Sequence, residues 1–257
     1  MRCCVALIFA IVLPLLTQAQ VSISPNDGSR SAASQARDAN MDEVVIIPFD
    51  FPIGNDLKDL GKIASPYKRV GEANDFKAQL GQVSLKVKAR NGNVLRVTSI
   101  NDFTHINHYQ IKGEAYFTNN PEALRKNIEK VRNKKFDSGS MAYLVIYRPD
   151  NIGINRIRVY INDTPVQVMT GEGSRYIYRV KREGRYKIAD DNKDSLTVDL
   201  RYGNSYYVKM SFETGYQTGM SIKHHGYWSS IKSVDNYQGE LESSVVKNTF
   251  IAAMGQP

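Results

Sequence analysis

Cysteine is almost absent from this chain. Its 257 residues contain two cysteines, Cys3 and Cys4, and both precede an apolar run at residues 5–16. A basic residue, a short apolar run and then small residues before position 20 are the order of a secretory signal peptide. We therefore expect residues 1–20 to be a cleaved signal peptide. The mature protein would then have no disulfide, no cysteine nucleophile and no cysteine-ligated metal.

Long apolar runs are also missing. The run in the leader has about twelve residues, too few to span a hydrocarbon core of about 30 Å. No later segment reaches the eighteen consecutive apolar residues that predict a membrane-spanning helix. We expect no transmembrane segment after signal removal, and a periplasmic, secreted or cell-surface location.

Histidine is scarce, with four residues in the chain. His105 and His108 stand just before a predicted strand and are expected in a loop or at the entry to that strand. His224 and His225 are adjacent and would point to opposite sides of a strand. Neither pair completes a metal signature, and we found no serine nucleophile or phosphate-cradling loop in a supporting context. The sequence thus predicts no catalytic residues, no metal and no cofactor, and favours a protein that is not an enzyme.

Acidic residues are outnumbered. The chain has 34 lysines and arginines against 26 aspartates and glutamates, a formal charge of +8. Such a surface attracts nucleic acid, anionic lipid or acidic glycans, and export argues against nucleic acid. Fifteen tyrosines suit exposed strands, where the ring packs and the hydroxyl stays in water.

The N-terminal half after the leader divides into a spacer and a small domain. Residues 21–42 are small and polar, which predicts a disordered spacer. Residues 43–118 are predicted to form a small α+β domain, with a short helix at 70–80. Its strands are expected at 43–51, 83–89, 94–100 and 109–117, and Asn91-Gly92 between two of them is a strong hairpin signal.

A basic connecting helix is predicted at residues 119–137. Asn120 can cap it and Pro121 suits its first turn, while Leu124, Ile128 and Val131 share one face. Its cations would meet phosphates or acidic sugars, although a plain solvated face has the same composition. The predicted anion-binding residues are Arg125, Lys126, Lys130, Arg132, Lys134 and Lys135.

Short strands and turns dominate from residue 140 onward. Strands are expected at 142–147, 156–161, 165–169, 175–180, 184–189, 195–200 and 205–212. This spacing predicts an antiparallel β-sandwich over residues 140–225, followed by a tail at 226–257 with an amphipathic helix near 240–254. The fold class is therefore mainly β, with an α+β N-terminal unit and a C-terminal β-sandwich.

Four segments of the sandwich region carry a resemblance to a known family. They are AYLVIYRP at 142–149, VYINDTPVQVM at 159–169, YIYRVKREGRYKI at 176–188 and DSLTVDLRYGNSYYVKMSF at 194–212. Over residues 141–223 the chain resembles a bacterial envelope domain filed as domain of unknown function 2846. The resemblance implies a fold and a compartment, and it implies no catalytic residue.

Two functional hypotheses follow. The first is an exported, non-enzymatic binding or structural module of the bacterial cell envelope, whose strand edges and tyrosine-rich faces contact an envelope protein or glycan. The alternative is a binder of anionic lipid or glycan surfaces that makes peripheral membrane contact through residues 121–135.

Two smaller features have structural explanations as well as functional ones. Ser195, within Asp194-Ser195-Leu196, resembles an O-glycosylation acceptor of envelope bacteria, although it also suits the start of a strand. Asp190, Asp191 and Asp194 are paired carboxylates of the kind that glycosidases use, and we expect them to be solvated turn residues.

Overall fold

The computed structural model describes most of the chain beyond the predicted signal peptide and spacer. The described residues are 43–66, 76–103, 108–135, 139–150, 156–170, 172–180, 182–191, 194–218 and 223–252. Within them the fold is mainly β, with an α+β N-terminal part and a β-rich remainder, as the sequence predicted.

Thirteen strands and three helices make up this described part. The helices are α1 (Phe76–Ala89), α2 (Pro121–Lys135) and α3 (Asn236–Ser244). The strands are β1 (Val45–Ile47), β2 (Lys58–Ala64), β3 (Val94–Phe103), β4 (His108–Phe117), β5 (Ala142–Asp150), β6 (Ile157–Ile161), β7 (Thr164–Met169), β8 (Glu172–Val180), β9 (Gly184–Asp190), β10 (Ser195–Leu200), β11 (Ser205–Thr218), β12 (Lys223–Val234) and β13 (Asn248–Ile251).

The strands form two sheets. The first has nine strands in the order β12-β11-β5-β3-β4-β2, and β1 adds to β3, β8 to β5 and β13 to β8. The second sheet is β10-β9-β6-β7 and is antiparallel throughout. In the first sheet β1–β3, β3–β5, β5–β11 and β8–β13 pair in parallel. Strands of the N-terminal unit and of the sandwich therefore belong to one sheet.

Side chains of β5 point alternately to the two faces of the first sheet, and each face packs against a different part of the protein. Leu144 and Ile146 enter a core that includes Ile157, Val159 and other apolar residues of the second sheet, which makes the sandwich. Tyr147 belongs to a cluster on the opposite face, because successive side chains of a strand point to opposite sides.

Helices cover the remaining surfaces of the first sheet. Helix α1 buries Leu80, Val83 and Val87, at helical spacing, in a core that also contains Leu241 of α3. Helix α2 packs Ile128 against β1 and β3 in a separate cluster.

One predicted strand is wrong. Residues 83–89 form the C-terminal half of α1, where Val83 and Val87 are buried and Leu85 is 40% exposed. Their apolar residues alternate, but the buried pair is one helical turn apart. The contacts that the buried face of α1 makes outweigh the preference of these residues for a strand.

The predicted Asn91-Gly92 hairpin is also wrong. Asn91 has φ 56° and its N–H donates to the Lys88 carbonyl at 2.8 Å, while the Gly92 N–H donates to Val87 at 2.9 Å. These two bonds form a Schellman motif that ends α1. Asn-Gly thus accepts the left-handed conformation as expected, but it does so at the end of a helix.

The C-terminal tail contains a helix followed by a strand, whereas the prediction was a helix near residues 240–254. Helix α3 begins before the predicted range, because the Asp235 carboxylate caps it by accepting from the Gln238 N–H at 2.9 Å. Residues 248–251 are strand β13, paired with β8. The basic helix lies where it was predicted, as α2.

Candidate functional site

A cleft of about 700 Å³ lies between α2, the start of α3 and the turn that joins β10 to β11. We call it the α2–α3 cleft. Its polar lining includes Arg132 and Asn133 from α2, Asn236 and Glu240 from α3, and Ser205 from the start of β11. Since all three walls come from different parts of the chain, the cleft exists only in the folded protein.

An ion pair joins the two helices across the cleft. The Arg132 Nη2 and Nε atoms lie 2.6 Å and 2.8 Å from Glu240 Oε2. Burial lowers the pKa of Arg132, but the hydrogen bond and charge of Glu240 outweigh burial and raise it. The pair fixes the distance between α2 and α3 while leaving 37% of the arginine side chain exposed to a ligand.

Helix α3 sits directly on β11 because of one glycine. A Cβ at Gly239 would overlap the Cβ and ring of Tyr207, which is 4% exposed. Only glycine permits this approach. The result is that Tyr207 forms the floor of the cleft beneath the first turn of α3.

Tyr237 is the aromatic residue on the rim. Its ring packs edge-on against Phe76, with centroids 6.3 Å apart and planes at 74°. The residue as a whole is 38% exposed and lines the cleft, while burial raises the pKa of its hydroxyl. Packing therefore fixes the ring at the edge of the cleft.

The turn at the third wall is held by backbone bonds. Gly203 has φ 74° and donates its N–H to the Met141 carbonyl at 2.9 Å, and the Asn204 carbonyl accepts from the Tyr143 N–H at 3.0 Å. Both bonds tie the turn to the start of β5. A left-handed φ of this kind favours glycine.

A buried polar cluster anchors α3 on the sheet. We call it the Glu242 cluster, and it contains Glu242, Lys209, Asp102, Tyr109 and Tyr147. Lys209 Nζ lies 2.9 Å from Glu242 Oε2 and 2.5 Å from Asp102 Oδ2. The Tyr109 and Tyr147 hydroxyls donate to Glu242 at 2.5 Å and 2.6 Å.

Burial and charge set the protonation of this cluster. Burial, followed by the Glu242 carboxylate, raises the pKa of Tyr109 and of Tyr147 well above the ordinary value. Burial lowers the pKa of Lys209, but Glu242 and Asp102 outweigh it and raise the net value. At neutral pH the phenols are therefore neutral donors and Lys209 is a cation.

The geometry of the Glu242 cluster suits a structural role. Glu242 is fully buried, and its carboxylate also accepts from Gln238 Nε2 at 2.8 Å. Its oxygens are thus occupied by groups from β4, β5, β11 and α3 itself. Because α3 supplies both Glu242 and three residues of the cleft lining, Asn236, Tyr237 and Glu240, the cluster determines the position of that lining.

The predicted anion-binding residues separate into three groups. Arg132 lies in the α2–α3 cleft, and Arg125 Nε is 3.7 Å from Glu122 Oε1. Lys126 and Lys130 are exposed one turn apart on α2. The side chains of Lys134 and Lys135 lie outside the described residues.

The histidine predictions fall mostly outside the described part. This holds for His105 and for the side chains of His108, His224 and His225. Among the residues that the structure describes, no three histidine, cysteine, aspartate or glutamate side chains come together to hold a metal. Nor does any described helix have the length and apolar character needed to cross a membrane.

The carboxylates around Ser195 are partly structural. Asp194 Oδ2 accepts from the Ile231 N–H at 2.8 Å, which ties β10 to β12. Asp190 is 4% exposed, so the expectation that it is a solvated turn residue is wrong, whereas Asp191 is exposed. Ser195 is exposed at the first position of β10, and its modification stays a prediction.

Sequence reasoning missed the cleft and the Glu242 cluster. The one available signal was Lys209, a charged residue on a strand between the apolar Val208 and Met210. Nothing local indicated its partners, which lie 33 residues away at Glu242 and farther still at Asp102.

The chain was compared with protein-family models, curated proteins and solved structures, and none of them matches it. The similarity of residues 141–223 to the envelope domain of unknown function therefore stays a prediction.

Proposed function

We propose that this protein is an exported, non-enzymatic binding module of the bacterial cell envelope, and that the α2–α3 cleft binds an envelope glycan. The observation that carries the proposal is the composition of the cleft. Asn133, Asn236 and Ser205 line the cleft together with the partly exposed residue Tyr237 and the Arg132–Glu240 ion pair. The compartment follows from the predicted signal peptide and from the similarity of residues 141–223 to an envelope domain.

The chemistry of the cleft matches a polyhydroxylated ligand. Asparagine amides both donate and accept hydrogen bonds, and so does a serine hydroxyl, as do the hydroxyls of a sugar. The Tyr237 ring offers an apolar surface and a hydroxyl group, which suits a contact that is partly exposed to solvent. Specificity in such sites comes from a few fixed polar groups.

A non-catalytic role is supported by the titratable groups of the cleft and of the sheet beneath it. Glu240, the carboxylate in the described lining, is bonded to Arg132. Glu242, Lys209 and the two phenols are bonded to one another beneath α3. A general acid or base must reach the proton that it transfers. Groups that are buried and already bonded serve the position of α3 instead.

Co-sedimentation with purified peptidoglycan sacculi tests the proposal. We expect the protein to pellet with sacculi equally at 0.1 and 0.5 M NaCl, since hydrogen bonds and ring contacts are screened little by salt. Tyr237→Ala should abolish this binding. Tyr160→Ala, at a half-buried tyrosine of the second sheet, is the matched control and should retain it.

Failure of the wild-type protein to pellet would contradict the glycan proposal. Equal loss in both tyrosine variants would remove the cleft as the site. Tyr237→Phe separates the two contributions of the side chain, because it keeps the ring and removes the hydroxyl.

The exposed lysines of α2 favour a second candidate function, an anionic-surface binder. Lys126 and Lys130 lie one turn apart and face solvent, where each can add on the order of 1 kcal/mol at an anionic membrane. This function predicts vesicle or lipopolysaccharide binding that falls steeply with salt. Reversal of Arg125, Lys126 and Lys130 to glutamate should abolish it, and binding that survives the reversal would refute it.

A further inference from the structure

Strand β2 is an edge of the first sheet, and two cations, Lys86 of α1 and Arg90 of the turn that follows it, cover that edge. Arg90 Nη1 donates to the carbonyls of Leu60 and Lys62 at 3.1 Å and 3.0 Å. Lys86 Nζ donates to the Ala64 carbonyl at 2.6 Å. Capping of this kind blocks pairing with another strand, and it also holds two positive charges at fixed positions beside the sheet.

A groove of about 660 Å³ lies next to this edge, and we call it the β2 groove. Lys62 of β2 and Lys112 of β4 line it together with Lys86 and Arg90. Lys62 and Lys112 are exposed, and within the described part of the chain neither has a carboxylate partner.

The one carboxylate in the described lining of the groove is already engaged. Glu114 stands opposite both Lys62 and Arg96 in the strand register. It accepts from the Tyr116 hydroxyl at 2.8 Å, and its Oε2 lies 3.6 Å from Arg96 Nη1. Arg96 is itself fixed, with its guanidinium 4.8 Å from the centre of the Phe49 ring. Arg96 thus balances Glu114, and four cations remain to face the groove.

We propose that the β2 groove binds a phosphomonoester. Four cations line the groove, and its carboxylate already faces Arg96, so the groove carries a net positive charge. A phosphomonoester carries about −1.5 to −2 charges and three acceptor oxygens at neutral pH. It can therefore meet the Lys62 and Lys112 ammonium groups and the free N–H donors of Arg90 at once.

This site is independent of the α2–α3 cleft. Their linings, as described, have no residue in common. Loss of phosphate binding would leave binding to sacculi intact, and the failure of either proposal is visible separately.

Isothermal titration calorimetry with glucose 1-phosphate tests the groove, and vesicles containing phosphatidic acid test the same group on a lipid. Lys62→Gln/Lys112→Gln removes two exposed cations without reversing charge. Because it removes two charge-assisted donors, the double variant should bind at least about tenfold more weakly. Arg158→Gln/Arg185→Gln, at two exposed arginines of the second sheet, removes the same charge elsewhere and should bind like the wild type.

The dependence of affinity on pH distinguishes a phosphomonoester from other anions. Because the second pKa of a phosphomonoester is near 6, affinity should fall between about pH 7.5 and pH 5.5. A sugar sulfate, whose charge does not change over this range, should show no such fall.

The outcomes are decisive. Saturable binding of the sugar phosphate or of the vesicles supports the site if it is lost only in the groove variant. The probe that binds shows whether the phosphomonoester comes from a sugar or from a lipid. No saturable binding of either probe, or equal loss in the second-sheet variant, overturns it. Thermal unfolding of each variant shows that it is folded.

Discussion

Replacement of Lys209 by methionine tests the Glu242 cluster. Lys209 is 8% exposed and lies between two buried carboxylates, with Nζ 2.9 Å from Glu242 and 2.5 Å from Asp102. Methionine fills a similar volume but leaves both carboxylates without their cation. Breaking a buried pair by removing one partner costs about 3–5 kcal/mol.

That cost is large against the total stability of a domain, about 5–15 kcal/mol. Urea unfolding followed by circular dichroism measures it. Lys232→Met is the matched control, because Lys232 is exposed and stands opposite Lys209 on β12. Exposed pairs contribute about 0–1 kcal/mol, so this variant should unfold almost like the wild type.

A double variant sharpens the argument. Lys209→Met/Asp102→Asn removes a buried charge of each sign and keeps the three donors to Glu242, those of Tyr109, Tyr147 and Gln238, in place. We expect it to recover part of the loss seen in Lys209→Met. A cost below about 1 kcal/mol for Lys209→Met, equal to that of Lys232→Met, would refute the buried ion pair.

Three further predictions concern the helices and the response to alkali. Gly239→Ala should destabilise the protein by about 1–3 kcal/mol through overlap with Tyr207. Gly81→Ala, whose Cβ would meet nothing within 4 Å, should stabilise α1 by about 0.5–1 kcal/mol; thermal melting that ranks the two glycine variants equally would contradict the α3 packing. Asn91→Ala should lower the unfolding free energy by about 1 kcal/mol, because φ there is 56°, while Asn91→Gly should not, and equal urea midpoints would argue against the Schellman end of α1. The raised pKa values of Lys209 and of the two phenols of the Glu242 cluster mean that the folded state keeps protons which the unfolded chain releases near pH 10. The stabilisation that these three groups contribute should therefore be complete below about pH 10 and be lost above it, and denaturation curves that stay unchanged from about pH 9 to pH 12 would contradict this sign.

The sequence was enough to predict those helices and strands whose ends are marked by capping or turn residues. Helix α2 has a side-chain cap at Asn120, a proline at its first position and an apolar face, and it lies where the sequence predicts it. Most sandwich strands were predicted because glycine and asparagine turns separate them. The fold class followed from these elements.

Features that depend on contacts between distant segments were predicted wrongly or not at all. Residues 83–89 alternate like a strand, yet α1 forms because Val83 and Val87 meet the sheet together. The order of β3, β5 and β11 within one sheet could not be predicted, since parallel neighbours leave no turn between them. The α2–α3 cleft needed three such distant segments, and so did the Glu242 cluster.

The most direct test of the account is a map of glycan contacts on the folded protein. Amide chemical shifts should be followed by NMR while soluble, muramidase-released peptidoglycan fragments are added. The account predicts saturable shifts concentrated at Asn133, Ser205, Asn236 and Tyr237. Unchanged amides at these positions, or shifts confined to the second sheet, would contradict it.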